Sequence, residues 1–403
     1  MAAAALFTRV STRRRLAFPL LAFAFAAVML GTTLPTPMYA LYADEMHFAV
    51  LTTTIVFAAY AVGVLGALLV FGRWSDAIGR RPVLLGGIVF ALASAVVFIF
   101  ADSVAVLLVG RLLSGLSAGV FTGTATAAVV EALPAAERER AATVATIANV
   151  GGLGSGPVLA GLLVQYVPHP LVVPFVVHIV LMGLALVAVL IAPETSDRTG
   201  RIGFQRLSIP AEARAVFLTA ATAAFAGFAV MGLFTSVAPA FVASVAGIGN
   251  HAVGGAVAAS IFVASALAQL LGRRITPARA VAAGCAILVL GMAILAVALR
   301  LSSLAGILVA ALIAGTGQGI SFSRGLAAVV EQVPADRRAE VSSTYFVVAY
   351  VAISLPVVGA GLAAHEWGLR TAGEVFAMAV GVLAALCLAA ILVQERRATP
   401  ANV

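Results

Sequence analysis

An all-α membrane protein, with twelve transmembrane helices in two pseudo-symmetric six-helix bundles, is the fold class this sequence predicts. Composition is the first reason: 63% of the 403 residues are hydrophobic and 10% are charged, against roughly 25% charged in a soluble domain. The second is a series of long apolar runs, each near the roughly 20 residues a helix needs to cross a hydrocarbon core of about 30 Å. The third is a repeat whose period is half the chain. Barrel strands would alternate apolar and polar residues, whereas these runs are continuous, and helices satisfy their own backbone groups in lipid.

The spans follow in order. Leu16 to Tyr42 opens directly after Arg13, Arg14 and Arg15. It is too long for the apolar core of a cleavable signal and another span follows at once, so it is expected to stay in the mature chain. Residues 50–71 and 82–100 hold the charge-free runs Ile55–Phe71 and Val83–Phe100, parted by the charged stretch GRWSDAIGRRP at 72–82. The fourth span, 105–130, starts after Asp102 and carries Arg111. The fifth, 142–166, follows Arg138 and Arg140 and contains Pro157; the sixth, 171–192, ends before Pro193 and Glu194. Residues 195–213, with Asp197, Arg198, Arg201 and Arg206, read as a central cytoplasmic linker between bundles of residues 1–194 and 214–403. The remaining spans are 214–243, 253–272, 279–299, 303–329, 342–364 and 371–394, set off by Arg214, Arg273, Arg274, Arg279, Arg300, Arg337, Arg338 and Arg370.

Every basic residue is arginine. A cytoplasmic N-terminus leaves only Arg300 and Arg370 outside, with Arg111 and Arg324 inside spans. Because cytoplasmic loops carry the basic excess, both termini are expected in the cytoplasm. The formal charge of +8 then reflects topology and attraction to anionic membrane lipid, not nucleic-acid binding. Abundant alanine and the lack of lysine suggest a bacterial source, and hence the inner membrane. Cys285 and Cys387 fall in apolar spans and read as buried free thiols.

The repeat aligns Gly115–Pro134 with Gly315–Pro334. Gly115 matches Gly315, Gly119 matches Gly319, and the Ala-Ala-Val-Val-Glu block at 127–131 matches that at 327–331. Each block is followed by a basic loop and a helix carrying a proline, Pro157 or Pro356, and a glycine, Gly161 or Gly361. Two parallel six-helix halves are a transporter architecture with its substrate site between them near the midplane.

The stretch Gly72-Arg-Trp-Ser-Asp76-Ala-Ile-Gly79-Arg80-Arg81 resembles the loop between the second and third helices of the major facilitator superfamily. Physically, Gly72 and Gly79 allow tight turns, Asp76 is expected to accept hydrogen bonds from a nearby helix N-terminus, and the arginines answer it or lipid phosphates. The resemblance implies a gate on the cytoplasmic side. Arg111-Leu-Leu-Ser-Gly115 is similar to the family's arginine-and-glycine motif in helix four, which implies a link to proton transfer. An arginine inside a span costs roughly 2.5–3.5 kcal/mol at the bilayer centre, so Arg111 is expected to face protein or water, with Asp44 and Glu45 as its expected acids. Gly152-Leu-Gly-Ser-Gly156-Pro157, followed by Gly161, resembles the motif of the drug:proton antiporter branch in helix five. Helix packing alone would also account for it, since glycines four apart let helices approach and proline bends them.

Polar residues inside spans are the candidate substrate contacts: Thr32, Thr33 and Thr36 beside two prolines, Asn149, Gln269, Gln318, Ser321, Tyr345 and Tyr350. Each is also a common interhelical hydrogen-bonding type. Arg324 shares a helix face with Gly317 and Ser321 and suits an anionic group or the interface. His178, the single histidine within a span, and Glu374 join Arg111, Asp44 and Glu45 as proton-coupling candidates.

The chain lacks His-Glu-x-x-His, a Gly-x-x-x-x-Gly-Lys loop and any Cys/His cluster, so no enzyme chemistry, cofactor or metal is expected. The expected function is secondary export of a small molecule by a monomer, drug-like or a metabolite, in exchange for protons. The alternative is proton-coupled uptake or facilitated diffusion of a sugar or organic acid. A membrane-embedded enzyme or sensor on a transporter fold is the remote alternative.

Overall fold

The computed structural model describes residues 2–398. Every regular element among them is a helix: α1 Ala2–Thr33, α2 Tyr39–Met46, α3 Val50–Phe71, α4 Trp74–Ile78, α5 Arg80–Ile99, α6 Val104–Glu131, α7 Arg138–Tyr166, α8 Val173–Ile191, α9 Arg214–Ala240, α10 His251–Leu271, α11 Pro277–Arg300, α12 Leu304–Glu331, α13 Arg338–Trp367 and α14 Leu369–Ala398, with short 3₁₀ and π turns between some of them. Among the described residues, 12 helical segments are long and apolar enough to cross a membrane.

Three departures from the sequence reading have local causes. The first span is not one helix: α1 stops at Thr33 and a 3₁₀ turn over Thr36–Met38 leads into α2, because Pro35 and Pro37 supply no N–H to the ladder. The charged stretch after α3 is not wholly loop, since Trp74–Ile78 forms the short helix α4. Past Pro239, α9 runs into a π turn at Phe241–Val245, another place where proline leaves the ladder short of a donor.

The chain divides into two compact units, residues 1–42 with 59–205, and residues 43–58 with 206–403. In the first, the repeat glycines bring α6 against α3: a methyl group on Gly115 would strike the Tyr60 carbonyl, and one on Gly119 the Val64 carbonyl. In the second, Gly315 meets the Ile261 carbonyl and Gly319 the Ser265 carbonyl, seating α12 on α10. Small residues at matched positions thus set the same close crossing twice, the usual basis of helix association in lipid, where burying apolar side chains gains nothing over the acyl chains. Hydroxyls add directed bonds: Ser94 donates to the Gly110 carbonyl at 2.8 Å and Ser117 to the Gly87 carbonyl at 2.7 Å, tying α5 to α6. Val62, Val89, Val180, Leu218 and Leu386 point outward; in a membrane protein such side chains meet lipid, not water.

Candidate functional site

The charged stretch of the first unit folds into a clasp. Gly79, at φ +110°, makes the turn between α4 and α5 that an L side chain rarely adopts. A methyl group there would also collide with the Glu194 carboxylate. That carboxylate accepts from the backbone N–H groups of Arg80 and Arg81 at 2.8 and 3.2 Å, and from those of Thr195 and Ser196 at 3.0 Å. It therefore caps the positive end of α5. Here the sequence expectation is corrected: Glu194, not Asp76, serves the helix N-terminus, because the more exposed Asp76 side chain turns to pair with the Arg80 guanidinium. Arg80 also donates to Ser75 at 2.7 Å and binds both oxygens of Glu131 through Nε at 3.2 Å and Nη2 at 2.9 Å. The Thr195 hydroxyl donates to Glu131 at 2.9 Å, and the Gly200 N–H to the Asp76 carbonyl at 3.0 Å. One guanidinium thus joins the ends of α4, α5 and α6, a bidentate geometry that lysine would not reproduce. Gly72 lies against the Leu68 carbonyl at the end of α3.

Partial burial pushes the Glu194 carboxyl up, but the backbone N–H groups of Ser196, Arg80, Arg81 and Thr195 outweigh it and hold the group below its ordinary value. A carboxylate with a lowered folded-state value stabilises fully above the ordinary range near about 4.3 and loses that stabilisation as pH falls through the lowered value. Glu194→Gln is therefore expected to lower the Tm of the purified protein at neutral pH, with the gap to wild type closing as the pH is taken below that range. A gap that stays constant into acid would show that the charge is not what holds the clasp.

Deeper in the first unit, Arg111 is 1% exposed. Its Nη1 donates to the Thr32 carbonyl at 2.7 Å and its guanidinium lies 4.7 Å from the Tyr60 ring centroid. Its partners include a carbonyl and an aromatic face; Asp44 and Glu45 are exposed on α2. His178 is 4% exposed, with its ring pressed on Gly31 and its Nδ1 without a hydrogen-bond partner. It lines, with Thr32, Ser94, Ser114 and Ser117, a cavity of about 10 Å³, the size of a single water. Thr36 is buried in the turn between α1 and α2.

The glycines of helix α7 meet α1. Gly152 lies against the Ala26 carbonyl and Met29, while a methyl group on Gly156 would overlap the Thr33 hydroxyl and the Leu30 carbonyl. Pro157 has no N–H to give the carbonyl four residues before it, Leu153. The Thr33 hydroxyl donates to that carbonyl at 2.7 Å. Thr33 is thereby occupied between helices, Gly161 is buried in α7, and Asn149 is half-buried in the same helix.

The second unit has its own polar chain: Gln269 donates to Ser265 at 3.1 Å, which donates to Gln318 at 2.6 Å, joining α10 to α12. Ser321, fully buried, bonds the Gln318 carbonyl. Tyr345 is 0% exposed, stacks on Phe322, and gives its hydroxyl to the carbonyls of Ala220 and Phe322. It is core, and so does not have the exposed ring a substrate contact needs. Arg324 and Tyr350 are half-buried; Arg324 Nε is enclosed without a hydrogen-bond partner. Glu374 is paired with Arg300 at 3.0 Å.

The family model described as "Major Facilitator Superfamily" matches residues 21–355. The chain belongs to the Major Facilitator Superfamily. It is thus a multi-pass membrane protein of a transporter family and not an enzyme. This major facilitator is 35% identical over 129 residues to the tetracycline resistance protein, class D, of Salmonella ordonez, covering 32% of this chain and 31% of that protein. It is 28% identical over 163 residues to the chloramphenicol resistance protein CraA of Acinetobacter baumannii, covering 40% and 39%. Across such curated relatives the chain spans only 19% to 39% of their length. Its fold is that of the solved bacterial homologue of the human lysosomal transporter Spinster, at a TM-score of 0.71 and 14% identity, with 94% of this chain and 97% of that one covered.

Proposed function

We propose that this major facilitator exports a small drug-like molecule or metabolite across a bacterial inner membrane in exchange for protons, as a monomer with both termini in the cytoplasm. Residues 1–194 and 214–403 act as the two halves of an alternating-access cycle, with 195–213 as the linker. The observation that carries the reading is the build of α7 on α1. Its Gly152, Gly156 and Pro157 face make the close approach that the antiporter-like motif calls for, and two relatives are named for resistance to tetracycline and chloramphenicol. The clasp around Arg80 serves as the gate on the cytoplasmic face, and Arg111 with His178 as the polar pair through which protons couple.

A second reading has one observation in its favour. The half-buried Arg324 side chain, whose enclosed Nε has no hydrogen-bond partner, suits an organic acid, carried inward or by facilitated diffusion.

The test is proton release from inside-out vesicles with an acid interior, on adding cationic, neutral and anionic solutes, with Asp76→Asn as control. Collapse of the gradient by one solute class, absent in the variant, supports exchange. Carriage of an anion down its own gradient, with no proton movement, refutes exchange and supports the second reading.

A further inference from the structure

Two thiols that come from helices far apart in sequence meet in the second unit. Cys285 of α11 is 0% exposed and Cys387 of α14 is 4% exposed; both are free. They pack in one buried cluster, and Cys387 donates to the Thr219 carbonyl of α9 at 3.4 Å. Around them pack Ala223, Val281 and Ile391, none of which offers a donor atom. Two sulfurs are the ligands this cluster offers, and among the described residues no group of three or more His, Cys, Asp or Glu is placed to hold a metal. A tetrahedral zinc site, which takes four ligands, does not fit. A soft centre that takes two thiols does.

Beside the pair lies a cavity of about 370 Å³, within the range of small-molecule sites. Val281, Ile391 and Thr219 belong both to its wall and to the surroundings of the thiols. Val281 precedes Cys285 by one turn and Ile391 follows Cys387 by one turn, about 5 Å along each helix. Glu331, Gln332 and Gln394 supply polar lining, so the space has both apolar and polar surface.

We propose that Cys285 and Cys387 form a dithiol site for trivalent arsenicals of the type R–As=O, reached through this cavity, with the apolar R group lying against Val281 and Ile391. Two As–S bonds form and the As=O bond breaks. The two thiol protons leave with the oxygen as one water, and nothing is oxidised or reduced. Chelation by both sulfurs makes the adduct resist a monothiol and yield to a dithiol competitor.

Phenylarsine oxide added to the whole purified chain in detergent, followed by intact-mass measurement, tests this. One arsenical per chain is expected, retained in 2-mercaptoethanol, removed by 2,3-dimercaptopropanol, and lost in both Cys285→Ser and Cys387→Ser. Val281→Phe enlarges the side chain between the cavity and the thiols while leaving both cysteines in place. It is expected to slow the reaction of the folded chain while leaving that of the denatured chain unchanged. The proposal is overturned if folded wild type takes up no arsenical while the denatured chain takes up one. It is equally overturned if either serine variant keeps the adduct, or if Val281→Phe reacts at the wild-type rate.

Discussion

Leucine in place of Gly156 is expected to leave almost no folded protein in the membrane, whereas leucine in place of Gly151 on the same helix is expected to leave wild-type amounts. Gly151 is exposed, and an added methyl group there would have Ile147 Cγ2 as its nearest neighbour at 3.9 Å. At Gly156 the obstructing atoms are the Thr33 hydroxyl, the Leu30 carbonyl and the Leu34 N–H. Two of those three are backbone, so the neighbour cannot swing aside and the helices must part. Overpacking a core costs typically about 1–3 kcal/mol even where side chains can yield, a large share of the stability of a folded chain. Size-exclusion profiles of tagged protein extracted from membranes would decide it. Equal, single-peaked profiles for the two variants would mean that α7 does not depend on contact with α1.

Arg111→Leu is expected to cut transport by about tenfold or more, a barrier change of about 1.4 kcal/mol, while leaving the amount of folded protein nearly unchanged. A buried cation is expensive, and its replacement by an apolar side chain of similar volume is often neutral or stabilising, although the Thr32 carbonyl is left without its guanidinium donor at a cost of about 1–3 kcal/mol. The two effects offset in stability but not in function, where the charge against the Tyr60 face is lost outright. Arg111→Lys keeps the charge but not the planar stacking, so an intermediate rate is expected. The readout is solute movement in vesicles, per amount of transporter, with whichever solute of the panel responds. A leucine variant at the wild-type rate would reduce Arg111 to scaffolding.

Much of the fold was legible because lipid imposes a simple rule on sequence: long runs without charge, with arginines at the ends. The repeat was legible for the same reason that it packs, since Gly115, Gly119, Gly315 and Gly319 must be small for backbones to touch. What local spacing misses is pairing over distance. Glu131 and Glu194 stand 51 and 114 positions from Arg80, and no nearby pattern announces either. The one available signal was the repeat itself, which placed a glutamate at the same point in both halves. Asp76 drew the role of helix cap because it is close in sequence to the α5 N-terminus; the chain gave that role to the carboxylate that is close in space. Tyr345 looked like a ligand contact because its hydroxyl is polar, but its ring stacks on Phe322 and lies edge-on to Phe217, and the hydroxyl needed only backbone acceptors.

The bond from Thr33 to the Leu153 carbonyl changes how helix α7 can move. A proline bend closed by water or left open belongs to its own helix, which can straighten or deepen alone. The carbonyl that Pro157 leaves without a partner is closed by a hydroxyl from α1, so a change of helix angle there must either break that bond or move with it. That bond adds about 0.5–1.5 kcal/mol to the seat of α7 on α1, at the very point where α7 lacks a bond of its own. Thr33→Val, nearly the same in shape, would remove that bond while the glycine contacts of α7 on α1 remain.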